Sequence, residues 1–303
     1  MSTFSQNVQK VKDAFEKIKT ALTGKGVAVP SDAKLSDVPA LVDGISTGTP
    51  ALCTFELTYT DGTRTVETTS EGVVSLVYRC YSRTQVKSVS LTFNSSAVFA
   101  TDATSMFYSC FSLASLTLPS GFGASVTSAI SMFSDCRSLT SLTLPEGFGA
   151  SITDATSMFF NCFALASITL PEGFGAKITR ANYMFYFCEK LPSLTLPSGF
   201  GASVTSAISM FSDCRSLTQI LAPEGVTLAD DGSNGILRMK TSFDLSPTAL
   251  DKESLIRVIK SLQTVTSATL TLGTALKAKL EGDDNADGAA ALALAASKGW
   301  TIA

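Results

Sequence analysis

Met106, Met132, Met158, Met184 and Met210 stand 26 residues apart, and Cys110, Cys136, Cys162, Cys188 and Cys214 follow them in the same register. After the first four cysteines an apolar series falls at the third, sixth and eighth positions: Leu113, Leu116, Leu118; Leu139, Leu142, Leu144; Leu165, Ile168, Leu170; Leu191, Leu194, Leu196. A proline ends each series, at Pro119, Pro145, Pro171 and Pro197. Residues 119–140 and 197–218 are identical, so part of the array arose by block duplication. A unit this short cannot bury its apolar face alone. Neighbouring units must therefore stack, which makes the chain a solenoid rather than a set of separate cores.

Each unit has a physical reading. In the stretch "SLTSLTLP" apolar residues alternate with hydroxylated ones, the period of a strand with one face inward, and proline closes it because it has no N–H for a ladder. Strands stacked about 4.8 Å apart predict a parallel sheet along one side. In "SMFSDC" Met132 and Cys136 are four apart and Leu139 three further on, which predicts a short helical turn with these residues on its buried face. Glycines flanking Phe122, Phe148, Phe174 and Phe200 allow a tight bend, and the ring fills its inside. On this reading the cysteines form one buried column. Ligands 26 residues apart, with no histidine, do not have zinc-site spacing.

Composition narrows the function. The 303 residues carry 23 Lys+Arg, 26 Asp+Glu and a net charge of -3, with no basic cluster to attract nucleic acid or an acidic membrane surface. There is no histidine, so Ser-His and Cys-His mechanisms are excluded, and no cofactor motif stands out. An enzyme would have to use carboxylates, Lys or Tyr. A polysaccharide-degrading enzyme would need paired acids across a cleft, and the repeats hold few acids and no recurring opposed pair. The expectation is a non-enzymatic protein. The amphipathic start "MSTFSQNVQKVKDAFEKIK" lacks the pattern of a secretory signal, and no run of 18 apolar residues follows. The chain is expected to fold in a reducing cytosol without membrane insertion.

The pattern "MF..C..L..L.L", followed by a Gly/Phe bend and "SVT" or "SIT", resembles the BspA-like leucine-rich repeats of bacterial surface proteins and of phage structural proteins. The likeness runs from Ala103 to about Val226. It implies an α/β solenoid of 26-residue leucine-rich repeats with a parallel sheet. "KGVAVPSDAKLSDVPALVDGI", residues 25–45, is similar to an N-terminal segment of tail-fibre and head-fibre proteins, and "SATLTLGTALKAKL" and "AASKGWTIA" are similar to endings of phage-encoded repeat proteins. The resemblance thus implies a virion protein, a tail or head fibre or decoration protein, assembled in the host cytoplasm. Its partners would be other virion proteins and a host-surface glycan or protein. A bacterial surface adhesin is the alternative, and it would need an export signal.

Four parts are expected along the chain: 1–47, an N-terminal helical attachment or oligomerisation segment; 48–92, a β-rich N-terminal cap; 93–228, the solenoid; and 229–303, an α/β C-terminal cap. Phe4, Val8, Val11, Phe15, Ile18 and Leu22 alternate steps of four and three, a coiled-coil-like stripe short of three heptads. Two readings stand: a helix packed on its own chain, or one that docks to the virion or forms a homodimer or homotrimer. A further short helix is expected near Ser36 and Pro39. Asp61-Gly62 marks a hairpin between Leu52 and Tyr78. "CYSRTQVKSVSLTF", residues 80–93, reads as a degenerate first coil with Val86, Val89 and Leu91 inward.

Several motifs carry less than they promise. "GFGASV" from Gly121 recurs with the repeat and lacks a third glycine, so it reads as a bend and not a phosphate cradle. "DDNADG" begins like a calcium loop, but Leu294 occupies the position of the bidentate glutamate; a loop capping the Ala-rich helix is the better reading. Asn94 begins a glycosylation sequon, and Trp300 reads as core. Positions that vary between copies are the candidate binding surface: Tyr108, Ser134, Phe160, Tyr186, Ser212 in one column and Phe111, Arg137, Phe163, Glu189, Arg215 in another. Aromatics beside charges suit glycans or protein loops. Packing against a neighbouring subunit, or simple tolerance at the surface, are the other readings. The Ser/Thr strand face, Ser115 to Thr195, would bind sugars or merely serve strand packing.

Overall fold

The computed structural model describes residues 16, 19, 53–69, 73–74, 83–93, 98–99, 101–223, 237–246, 248–281 and 285–303. Phe4, Val8, Val11, Phe15, Ile18 and Leu22, the helix expected near Ser36, Asn94 and Asp283 lie outside these residues.

A hairpin comes first. Strand β1 (Cys53–Tyr59) turns through Asp61 and Gly62 into β2 (Arg64–Thr69), as the Asp-Gly signal predicts. The two-residue strand β3 (Val73–Val74) pairs in parallel with β5 (Val98–Phe99), on either side of β4 (Val86–Phe93) in sequence. Strand β4 joins two architectures: antiparallel to β1 on one side, parallel to β6 (Ser115–Thr117) on the other. Val86, Val89 and Leu91 are buried along it, so the degenerate coil does begin the stack.

One short strand per coil follows: β7 (Ser141–Thr143), β8 (Ser167–Thr169), β9 (Ser193–Thr195) and β10 (Gln219–Leu221). All six coil strands run in one direction, giving the predicted parallel solenoid, but the sheet is not continuous. β7 pairs with β8 and β9 with β10, while β6–β7 and β8–β9 lie adjacent without a ladder. The second gap has a cause. Ala114, Ala166 and Thr218 each donate an N–H to the coil before, and the equivalent residue between β8 and β9 is Pro192, which has none. No residue explains the first gap.

The predicted helical turn is not a helix. Two residues per coil, four apart, lie in the left-handed region: Ser105/Ser109, Ser131/Asp135, Ser157/Asn161, Tyr183/Phe187 and Ser209/Asp213, all with φ between 49° and 61°. These residues punctuate a run of tight turns, with Met132 N–H donating to Ala129 O and Cys136 N–H to Phe133 O. The intervening N–H groups reach the next coil instead. Phe107, Phe133, Phe159 and Phe185 donate to the carbonyls of Met132, Met158, Met184 and Met210 at 2.8 to 2.9 Å. Parallel series run through Ser105, Ser131, Ser157 and Tyr183, and through Ser109, Asp135, Asn161 and Phe187. A helix would keep these hydrogen bonds within one coil. Alternating left-handed residues turn the peptide planes along the stack, so from Ala103 onward each coil is hydrogen-bonded to the next on this side too. The burial prediction survives the change: Met132, Cys136 and Leu139 and their equivalents are fully or almost fully buried.

Two ladders of rings fill the interior. Phe107, Phe133, Phe159, Phe185 and Phe211 stack with centroids 5.2 to 5.7 Å apart. At the bends Phe122, Phe148, Phe174 and Phe200 stack more widely, 6.1 to 6.4 Å. Gly123, Gly149 and Gly175 press against the ring of the following coil, and a Cβ there would lie 2.1 to 2.3 Å from a ring carbon. Glycine is therefore needed for the positive φ and for the close approach together.

The last coil is closed by a small α/β unit. It comprises β11 (Phe243–Asp244), helix α1 (Lys252–Ser261), β12 (Ala268–Thr271), α2 (Gly273–Lys277), α3 (Ala286–Ser297) and β13 (Trp300–Ile302), with the strands parallel in the order β11-β12-β13. Asp251 caps α1 by accepting from Ser254 N, 2.8 Å away. At the edge of β10 that helix α1 covers, Ile220 N–H donates to Ser254 Oγ (3.1 Å) and Arg257 donates to Ile220 O (3.3 Å). The stack thus ends on satisfied groups and not on an open edge. Asn285 caps α3 through Gly288 N–H, in keeping with the capping reading of that loop. Trp300 is 3% exposed and its Nε1 donates to Gln263 O, a core role.

Candidate binding face

The cysteine column is structural chemistry. Each thiol is buried and donates to the coil before: Cys136 to Phe107 O (3.3 Å), Cys162 to Phe133 O (3.2 Å), Cys188 to Phe159 O (3.3 Å) and Cys214 to Phe185 O (3.0 Å). Burial pushes the Cys110 thiol up to about 11 and Cys162 and Cys214 up to about 12, with Cys136 and Cys188 also well above the usual range. Thiols of this kind are poor nucleophiles and poor metal ligands. Among the described residues no group of three His, Cys, Asp or Glu side chains could hold a metal ion. No described helix is long and apolar enough to cross a membrane.

The turn run of each coil carries the variable residues outward, because its Met, Phe and Cys point in. Phe111 (37% exposed), Arg137, Phe163 (40%) and Arg215 are exposed, and Tyr108, Phe160, Tyr186 and Glu189 are half-buried. Ser134 departs from expectation. It is 2% exposed, so the first column is interrupted after Tyr108.

Both exposed arginines of these columns are already paired. Arg137 forks onto Asp135 (2.8 and 3.0 Å) while its guanidinium lies 4.7 Å from the centre of the Phe111 ring, and Asn161 Nδ2 also donates to Asp135 at 2.7 Å. Lys190 lies over Phe163, 5.1 Å from its centre. Arg215 forks onto Asp213; that hydrogen bond, the Asp213 charge and the Glu189 charge raise its pKa. Further round the coil, Asp154 accepts from Thr156 N–H and O–H and from Arg180. Burial pushes this carboxyl up, but these donors more than offset it and hold it below the usual carboxylate value.

The rings gather in the fourth coil. Tyr186 stacks on Phe160 (5.1 Å, interplanar 4°), and Tyr183 and Phe187 meet it edge-on at 5.9 and 4.8 Å. Tyr183 is 38% exposed, and Ile208, beside it in the next coil, 58%. Tyr183, Phe187 and Ile208 were missed by the sequence reading. The signal was there: both left-handed positions hold Ser, Asp or Asn in the other four coils and aromatics only here. Away from the repeats, a cleft of about 730 Å³ opens between α1 and α3, walled by Ile256, Ala290 and Leu294 with Glu253, Lys260 and Asp287 around it. It contains none of the candidate binding residues singled out in the sequence, and only Asp287 of the "DDNADG" stretch.

A family model of BspA-type leucine-rich-repeat regions, six copies long, matches residues 66–180 and, in a second overlapping alignment, 102–233. No curated protein and no solved structure matches the chain. The matched region, 66–233 of 303 residues, covers more than half of the chain and includes every coil strand from β4 to β10. On this match and the solenoid geometry, the chain belongs to the BspA-type leucine-rich-repeat family.

Proposed function

We propose that this protein is a non-enzymatic binding scaffold that serves as a fibre or decoration protein of a phage virion and contacts the host surface through its turn face. The observation that carries the binding role is the sorting of the repeats: Met, Phe and Cys recur in the buried columns, and the turn positions that differ between coils are exposed or half-buried, with Ser134 the one covered member. A constant interior beneath a variable turn face is the arrangement of a scaffold that can change its surface without losing its stack. The similarity of residues 25–45 to fibre proteins, and of the C-terminal stretches to endings of phage-encoded repeat proteins, supports the virion placement, with the N-terminal stripe as the attachment or oligomerisation element. Mass spectrometry of purified virions tests that placement, and the protein is expected among the particle components. Particles that lack it would overturn the virion reading. Incubation with host capsular polysaccharide is expected to leave chain length unchanged; shortened chains would overturn the non-enzymatic one.

A further inference from the structure

Left-handed backbone is tolerated by Ser, Asp and Asn and poorly by bulky side chains. Four of the five coils follow that rule at both positions, and one places Tyr183 (φ 56°) and Phe187 (φ 60°) there. A residue held in an unfavourable conformation points to a use outside folding. Here the two departures build one object. Tyr183 and Phe187 flank Tyr186, which rests on Phe160, while the next coil sets the small Ser212 in the Tyr186 column. Tyr183 is 38% exposed, and the ring cluster is bordered by Glu189, half-buried, and by the Asp213–Arg215 pair of the next coil.

We infer that Tyr183, Tyr186 and Phe187, bordered by Glu189, Asp213 and Arg215, form a binding site for a neutral glycan. The chemistry matches on both sides. A pyranose presents an apolar C–H face, which stacks on an aromatic ring, and a rim of hydroxyls, which carboxylates accept from and a guanidinium donates to. The Asp213–Arg215 pair has no net charge, and the exposed Lys190 next to Glu189 offsets its charge, so the border is neutral as a whole and a neutral chain fits it better than an anionic one. Rigid rings provide this contact at small entropic cost. The site rests on the reading of the chain as a binding scaffold and names its ligand class.

The test uses the full chain with dextran, galactomannan and mixed-linkage β-glucan as neutral probes and hyaluronan as the anionic one, in affinity electrophoresis and calorimetry. At least one neutral polysaccharide is expected to bind. The Tyr183→Ser/Phe187→Asn variant, which installs residues other coils hold at these positions, should bind roughly tenfold or more weakly. Its urea midpoint should be no lower than that of the parent. No binding to any neutral probe, tighter binding to hyaluronan, or a variant that binds within about twofold of the parent overturns the assignment. Saturation-transfer NMR on the unmodified protein guards against a variant that misfolds. Irradiation of the ring protons should mark one face of the sugar, and transfer from aliphatic protons alone overturns the site. So would a dimer of the parent that the variant dissolves, because the face would then belong to a second copy. Adsorption to host cells that protease abolishes and periodate does not would overturn the glycan and leave the scaffold standing. Particles without the protein would overturn the virion placement and leave the glycan site standing.

Discussion

Replacing Gly149 by alanine separates two demands that the bends make on one residue. Gly149 has φ 81°, and a Cβ there would lie 2.1 Å from Cδ2 and 2.7 Å from Cε2 of Phe174. Its neighbour Gly147 has φ 79°, but a Cβ would meet only the Ala124 Cβ, at 3.8 Å. Both substitutions force alanine into left-handed backbone, at a cost of about 1–2 kcal/mol. Only Gly149→Ala must also displace a ring buried between Phe148 and Phe200 in the bend ladder, adding about 1–3 kcal/mol of overpacking. The expected losses are therefore about 1–2 kcal/mol for Gly147→Ala and about 2–5 kcal/mol for Gly149→Ala. Urea unfolding followed by circular dichroism reads the difference from the midpoints, provided the slopes agree. A cycle with Phe174→Leu sharpens it, since the smaller side chain should recover part of the Gly149→Ala loss and none of the Gly147→Ala loss. Equal losses for the two glycines, or no coupling to Phe174, would refute the close-approach argument and leave backbone conformation as the whole effect.

Two other expectations follow from the buried titratable groups. The column thiols have native pKa values raised above the unfolded value, so their contribution is complete below about pH 9 and declines as pH rises toward about 12. Each cysteine still protonated when folded and ionised when unfolded removes about 1.4 kcal/mol per pH unit in that window. The urea midpoint should fall steeply above pH 9, and a Cys162→Ala variant should show a shallower fall; a flat profile to pH 11 would contradict burial of the column. Asp154 has the opposite sign: its native pKa is depressed, so its contribution is present above the unfolded value of 3.8 and lost as pH drops through the native one. Asp154→Ala, which strands the Thr156 N–H and frees Arg180, should cost about 1–3 kcal/mol at pH 7. The deficit should shrink below pH 4, and one that persists at pH 3 would count against this account.

Much of the interior could be read from the period alone. Met, Cys, Leu and Phe recur because each occupies a column, and a residue in a column is judged by the same residue above and below it. The turn run shows where such reading stops. Met132 and Cys136, four apart, satisfy a helix and also satisfy two tight turns separated by a left-handed residue; burial is the same in both, and spacing cannot separate them. The distinguishing signal lay in the small residues Ser131 and Asp135 and their equivalents, which tolerate positive φ and make poor helix interiors. Pro192 showed in advance where one ladder would fail, had its missing N–H been counted against Ala114, Ala166 and Thr218. The binding columns were only partly legible, because variation marks a position as outward in general and not in each copy: Ser134 varies and is still covered. Tyr183 and Phe187 were legible as the aromatics in two columns of Ser, Asp and Asn, once those columns are known to be left-handed, whereas Ile208 needed its three-dimensional neighbour.

Four rows of amides that pass from coil to coil on the turn face point one way, against one row beside them, through Thr127, Thr153, Thr179 and Thr205, that points the other. The peptide unit shared by Met132 and Phe133 accepts from Phe107 N–H behind it and donates to Met158 O ahead, and the unit shared by Met158 and Phe159 repeats the arrangement. Three further rows, through Ala129, Ser131 and Asp135, run in the same sense. Peptide dipoles aligned head to tail add as they do along a helix, and each polarises the next. The four aligned rows outnumber the opposed one, so this side of the solenoid is a net electrical axis, positive toward the C-terminal end and negative toward the hairpin, and each coil lengthens it. The two ends of the array are chemically unlike. A second array stacked head to tail would continue the axis, and one stacked head to head would oppose it.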